Sequence, residues 1–174
     1  MSILSENCTY FLNNLHKHFG NLHNEILENR KKEYDYSIYV HDRKISTKNI
    51  PKDLINRTIE ITGPADRKLM INAFNSKANG YMCDMEDSLS PTWENVKNGH
   101  QNIYDYVHQQ LEFTCPVKGK HYSVENYSST TFHMRPRGLH LFEKHFLSEE
   151  GENMSASLRS EEHTSELQSP DHLV

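Results

Sequence analysis

Between residues 57 and 111 the apolar residues switch repeatedly between a period of two and a period of nearly four. That alternation constrains the fold more than any other feature of the chain. Arg-Thr-Ile-Glu-Ile (57–61) is β-branched and alternating, which predicts a strand that stops at Thr62-Gly63-Pro64. Residues 66–77 predict a helix with Met70, Ala73 and Phe74 as its buried stripe. A second strand is predicted over 80–85. A second helical face begins at Trp93 and Val96, is expected to break at Gly99, and continues through Ile103, Val107 and Leu111. Strand, helix, strand, helix in this order predicts parallel βα units. In such folds ligands bind at the carboxyl ends of the strands, which directs attention to residues 80–93. Along an extended chain Asp84 and Glu86 share one face, and Cys83, Met85 and Asp87 share the other. Ser90 is expected to cap the next helix with Pro91 as its first residue, and Glu94 falls in the first turn, where the helix dipole favours an acid. Paired acids at a strand end are a candidate site; the same acids would also suit a solvated strand end.

The flanks are read in the same way. Residues 5–32 predict a long amphipathic helix whose packing stripe is Phe11, Leu12, Leu15, Phe19, Leu22 and Ile26, with Gly20 as a point of interruption. Residues 33–56 are charged, aperiodic and punctuated by Pro51, and read as a connector. Lys118-Gly119-Lys120 separates two short β-prone runs, so residues 113–127 predict a hairpin inserted between βα units. Residues 130–135 predict a further strand, ended by Arg-Pro-Arg-Gly. Arg135 and Arg137 would share a face if the strand persisted past Pro136. An inward arginine there suits either a salt bridge to Asp84 or Glu86 or the stabilisation of an oxyanion.

Composition narrows the function classes. With 174 residues the chain has room for one domain and part of another. A net charge of −5 argues against a nucleic acid or an anionic membrane as partner. No apolar run approaches the length of a membrane-spanning helix, and the first residues lack the basic and apolar regions of a secretory signal. Cys8, Cys83 and Cys115 are odd in number and widely spaced, which fits a reducing compartment better than a disulfide framework or a cysteine zinc site. Twelve histidines are scattered without the spacing of a metal site.

A resemblance rests on a series of short motifs in order. These are Ile-Pro-Lys-Asp-Leu (50–54), Glu-Ile-Thr-Gly-Pro (60–64), Asp-Arg-Lys (66–68), Ile-Asn-Ala (71–73), Met-Glu-Asp-Ser (85–88), Ser-Pro-Thr-Trp-Glu-Asn (90–95), Gly-His-Gln-Asn (99–102), and Arg-Pro-Arg-Gly-Leu-His-Leu with Glu-Lys-His (135–145). Together they resemble the N-terminal third of malate synthase of the A type. The resemblance implies an α/β fold: an N-terminal helical segment with its connector (1–56), then the first part of a (β/α)₈ TIM barrel (57–158) carrying a β-hairpin insertion (113–127). About three of the eight strands would be present, an incomplete barrel. It also implies an acyltransferase that condenses acetyl-CoA with glyoxylate and water to give malate and CoA, with Mg²⁺, in a peroxisome or glyoxysome or the cytoplasm. Arg135 matches the family's active-site arginine and is expected to bind glyoxylate and to stabilise the enolate or alkoxide oxygen. Asp84 and Glu86 match the acids expected beside that arginine and near the metal's water molecules, and Ser88 matches a position near acetyl-CoA. The family's metal-binding Glu and Asp and its catalytic Asp lie in later segments with no counterpart here, so this chain alone is expected to be inactive and to hold no metal ligand. Phe142, where the family commonly has Pro, and the polar strand residues Thr131-Phe132-His133 depart from the pattern.

Two other readings stay open on the sequence: a related citryl-CoA or malyl-CoA barrel lyase, and a non-catalytic short form that acts as a binding partner. Residues 159–169, Arg-Ser-Glu-Glu-His-Thr-Ser-Glu-Leu-Gln-Ser, resemble the conceptual translation of a sequencing adapter. Residues 159–174 are therefore not expected to contribute to the fold, and the functional C-terminus, with any Ser-Lys-Leu targeting end, is expected to lie outside this sequence.

Overall fold

The computed structural model describes residues 5–32 and 49–157. The tail 159–174 and most of the connector lie outside the described residues. The centre of the fold is a parallel sheet of β1 (Glu60–Gly63), β2 (Gly80–Asp84) and β5 (Thr131–Arg135), in the order β1-β2-β5. Ile61 pairs with Tyr81 and Tyr81 with Phe132; Gly63 pairs with Cys83 and Cys83 with Met134. Those residues share one face, because side chains alternate along a strand. That face packs on the core of α2 (Arg67–Phe74) and α3 (Trp93–Val107), including Met70, Ile71, Phe74, Ile103 and Tyr106. Phe74 stacks on Tyr106 with ring centroids 3.9 Å apart and meets Tyr81 edge-on at 5.2 Å. Burying each such side chain contributes about 1.5–3 kcal/mol.

The α/β class, the parallel strands and the inserted hairpin match the sequence reading. The hairpin pairs β3 (Glu112–Thr114) with β4 (His121–Ser123), and Gly119 supplies the positive φ of its turn, +63°. Four local expectations are corrected. β1 begins at Glu60 rather than Arg57, because the Ile59 carbonyl already accepts the N–H groups of Asn79 and Gly80, and the ladder starts beyond it. α2 is shorter than 66–77: Asp66 caps it through the Leu69 N–H, and it ends at Phe74 before the positive φ of Lys77. α3 is capped by Thr92, whose hydroxyl accepts the Asn95 N–H, not by Ser90. Gly99 does not break α3: a Cβ there would lie 3.0 Å from the Ala65 Cβ and 3.1 Å from the Met85 thioether, so its absence lets the helix approach β2.

The N-terminal helix α1 (Glu6–Asn29) is capped by the Ser5 side chain and runs through Gly20 without interruption. Its packing face differs from the expected stripe. Cys8, Leu12 and Gly20 are buried, while Phe11, Phe19, Leu22 and Ile26 are each about half exposed. The helix rests on a second hairpin that the sequence reading missed, β6 (Phe142–Leu147) with β7 (Asn153–Ser155), through Met154 and Phe146. His16 pairs with Glu152 at 3.1 Å and His23 with the Leu139 carbonyl. Small and hydrogen-bonding residues can approach this hairpin more closely than the aromatic arc beside them.

Two outcomes test this packing. Gly99→Val is expected to destabilise the chain by about 1–3 kcal/mol in urea unfolding, through overpacking against Met85 and Ala65. The three thiols should also differ in reactivity. Cys8 and Cys83 are buried, and burial first, with Asp84 second, pushes the Cys83 thiol up to about 12. Cys115 sits partly exposed on the hairpin, where the Lys118 and Val117 N–H groups lower its pKa. A thiol reagent should label one cysteine rapidly in the native chain and all three in denaturant; rapid native labelling of Cys83 would contradict the core described.

Candidate functional site

β2 and β5 end side by side, with Asp84 in register with Arg135. The last ladder bond runs from the Met85 N–H to the Arg135 carbonyl, 3.1 Å. Beyond it the chain turns sharply, and the Asp84 carboxylate organises that turn. Its Oδ1 accepts the backbone N–H groups of Glu86 (2.9 Å) and Asp87 (3.1 Å). Its Oδ2 accepts the Ser88 hydroxyl at 3.0 Å and Arg135 Nη1 at 3.4 Å. An aspartate bonding to backbone two and three residues on is the ordinary Asx geometry that ends a strand.

The turn delivers three acids to one guanidinium. Arg135 Nη2 lies 2.8 Å from Glu86 Oε2, and Nη1 lies 2.7 Å from Asp87 Oδ2 and 3.4 Å from Asp84 Oδ2. A salt bridge, one of the two readings the sequence leaves open for this arginine, is therefore present, and it reaches both Asp84 and Glu86. The alternation argument is corrected on one point: the strand stops at Asp84, so Asp87 does not point away but joins Glu86 on Arg135. The Asp84 contact is a hydrogen bond and the Glu86 and Asp87 contacts are ion pairs, all on the Nη groups; among the described residues none of them engages the Nε–H, which can face an incoming anion.

Asp84 is 1% exposed. Burial pushes its carboxyl up, but the two backbone N–H groups, the Ser88 hydroxyl and the Arg135 charge together outweigh it and hold the pKa below its ordinary value. Arg135 is raised, first by its hydrogen bond to Asp87 and then by the surrounding carboxylates. Ser88, expected near acetyl-CoA, is engaged with Asp84 and also lines a cavity of about 560 Å³ with Asp66, Asn95, Asn98 and Gln101. Gly138 lies close against the site: a Cβ there would stand 2.6 Å from the His140 ring and 2.7 Å from Glu86 Oε1.

Arg137 does not share Arg135's face. It turns to Glu143 on β6 at 2.9 Å, and both are buried. The buried Arg137–Glu143 pair and its neighbour His145 were not anticipated as a unit; the sequence signal was the Glu-Lys-His motif, which carries no indication of what it faces. Among the described residues, no group of three His, Cys, Asp or Glu side chains converges on a metal position.

These geometries set a pH dependence. Asp84 and Glu143 both have lowered carboxyl pKa values; for Glu143 burial raises it, and the His145 N–H and ring and Arg137 outweigh that. A lowered folded-state pKa stabilises the fold above the unfolded value, about 4, and the contribution is lost as pH falls through the folded value. Unfolding free energy should therefore fall between about pH 5 and pH 2. Asp84→Asn should cost about 1–3 kcal/mol at pH 7 and flatten that slope; an unchanged slope in urea melts of the variant would argue against the role assigned to Asp84.

Comparison with known proteins finds similar sequences among malate synthases. No family model matches the chain. A malate synthase of Dictyostelium discoideum is 36% identical over 174 aligned positions, 90% of this chain and 31% of that protein. A glyoxysomal malate synthase of Candida tropicalis is 38% identical, across 83% of this chain and 29% of that protein. A bifunctional glyoxylate cycle protein of Caenorhabditis elegans is 51% identical over 98 residues, 56% of this chain and 10% of that protein. The chain thus spans less than a third of the length of these curated relatives. Over the part of their length that it spans, the chain is similar in sequence to malate synthases.

Proposed function

We propose that the chain supplies the glyoxylate-binding arginine and its acidic frame to a malate synthase. That reaction joins acetyl-CoA and glyoxylate: a base removes a proton from the acetyl methyl, the resulting carbon forms a bond to the aldehyde carbon, and the aldehyde oxygen becomes a hydroxyl. Water then cleaves the thioester, releasing CoA thiol and malate. The observation that carries the reading is Arg135, held at a strand end by Asp84, Glu86 and Asp87 with its Nε edge left for an anion. A planar guanidinium so oriented can bind the glyoxylate carboxylate and face the oxygen on which charge develops. Because three carboxylates surround it, its orientation is set before the ligand arrives, and no reorganisation is needed during reaction.

In this reading the parallel sheet is the first part of a (β/α)₈ barrel, with the site at the carboxyl ends of its strands. Ser88 and the cavity beside it lie on the side from which acetyl-CoA would approach. Mg²⁺, when bound, would polarise the aldehyde oxygen. The acids described here are not proposed as its site, since both Asp84 oxygens and one oxygen each of Glu86 and Asp87 are committed to Arg135, Ser88 and backbone N–H groups. This chain alone would bind glyoxylate without turning it over. Two relatives, from Candida tropicalis and Ricinus communis, are named as glyoxysomal; a glyoxysome or the cytoplasm is the corresponding proposal here.

The test is glyoxylate binding by the chain, followed by calorimetry or by the ¹³C resonance of labelled glyoxylate. Arg135→Gln should weaken binding by about tenfold or more, the scale of a charge-assisted bidentate contact. Equal affinity of the variant and the parent would refute the assignment.

A further inference from the structure

Two arginines leave the end of β5 in different directions, and the second takes no part in the chemistry proposed above. Arg137 is 5% exposed and Glu143 1% exposed, with Nη2 and Oε2 2.9 Å apart. The other oxygen of Glu143 accepts the His145 N–H at 2.9 Å and faces His145 Nδ1 at 2.8 Å. The His145 ring stacks on Trp93, the first residue of α3, with centroids 5.8 Å apart and planes at 17°. Trp93 closes the loop that begins with the acidic turn, and Arg137 follows Arg135 across one proline. The run of contacts Trp93–His145–Glu143–Arg137 therefore joins the segment that carries the acids to the segment that carries the guanidinium.

An ion pair buried this deeply is poor evidence for stability, because desolvation offsets the attraction. Here the balance is worse than usual, since Arg137 Nε has no hydrogen-bond partner among the described residues, and the facing Arg137 Nη2 and Glu143 Oε2 meet as an ion pair without hydrogen-bond alignment. What such a pair does provide is a tether. Removing or separating one of two opposite charges held away from water leaves the other uncompensated, which is costly. Pro136 fixes one backbone torsion between the two arginines. A shift of the backbone at 137 would strain the buried pair, and Arg135 lies only two residues away across that proline.

We propose that Glu143, acting through Arg137, is a positioning residue for Arg135, and that His145 and Trp93 extend the same constraint to the acidic turn. The functional meaning rests on the reading of Arg135 as the glyoxylate-binding group; the structural coupling does not. Glu143 touches no reacting group. Its effect is on where the Arg135 guanidinium stands relative to Asp84, Glu86 and Asp87.

The experiment follows the Asp84 carboxyl carbon by NMR through an acid titration of the full chain, because Arg135 is one of the groups that hold Asp84 ionised. Arg135→Gln calibrates the loss of that charge and should move the Asp84 midpoint upward. Glu143→Gln should move it in the same direction, and Arg135→Gln combined with Glu143→Gln should move it no further than Arg135→Gln alone, the sign of a shared path. If Glu143→Gln does not fold, Arg137→Met with Glu143→Met replaces the pair by apolar volume, an exchange that buried pairs commonly tolerate, and it decides the question. An upward shift in that double variant supports positioning. An unchanged Asp84 midpoint in a folded double variant overturns it. Failure of the parent chain to bind glyoxylate would remove the functional reading and leave this result standing.

Discussion

A carboxylate buried at the end of a central strand has to be supplied with hydrogen-bond donors, and the rest of the site follows from how Asp84 obtains them. Two are backbone N–H groups two and three residues on, which requires the backbone to turn immediately after the strand. A third is the Ser88 hydroxyl, and the fourth is Arg135 from the neighbouring strand. Because the strands are parallel and in register, the fourth donor arrives at the same level as the carboxylate. The turn that satisfies Asp84 also presents Glu86 and Asp87, so one buried group sets the positions of three acids around one cation.

The packing beneath the site serves the same geometry. Gly99 lets α3 lie close against Met85 and Ala65, at the ends of the two strands that precede the site. Asn102 donates to the Ala65 carbonyl and accepts from Arg67, which also pairs with Asp105 and donates to the Glu112 carbonyl. These contacts tie α2, α3 and the inserted hairpin into one body behind the sheet. On the other side of the site, the β6–β7 hairpin takes up Arg137 and gives α1 its seat.

The sequence reading reached the strands at 80–85 and 130–135 and the hairpin because each combined a local periodicity with a turn residue that only some conformations accept. It misplaced β1 by a few residues, since Arg57 to Ile59 alternate as well as Glu60 to Gly63 and only pairing with β2 distinguishes them. It placed the α3 cap at Ser90 because Ser-Pro is a strong local signal, whereas the Ser90 carbonyl is taken by Thr92 and Asn95. Spacing singles out Asp84, Glu86 and Arg135, and the resemblance adds Ser88; the structure brings these four side chains together. Asp87 was assigned to the wrong face because alternation was extended past the point where Asp84 ends it. The partner of Arg137 was not legible at all, because Glu143 lies on a strand without an alternating pattern.

The sequence by itself determined which residues can carry chemistry, the order of the parallel units, and the turn residues that end each strand, because these depend on local backbone preference and on residue type. Tertiary structure decided which face of α1 is buried, which acids meet Arg135, and where Arg137 is spent. Those outcomes depend on close approach between segments far apart in the chain: a glycine that admits a helix, a histidine that reaches a carbonyl, and a buried carboxylate that takes whatever donors the fold brings to it.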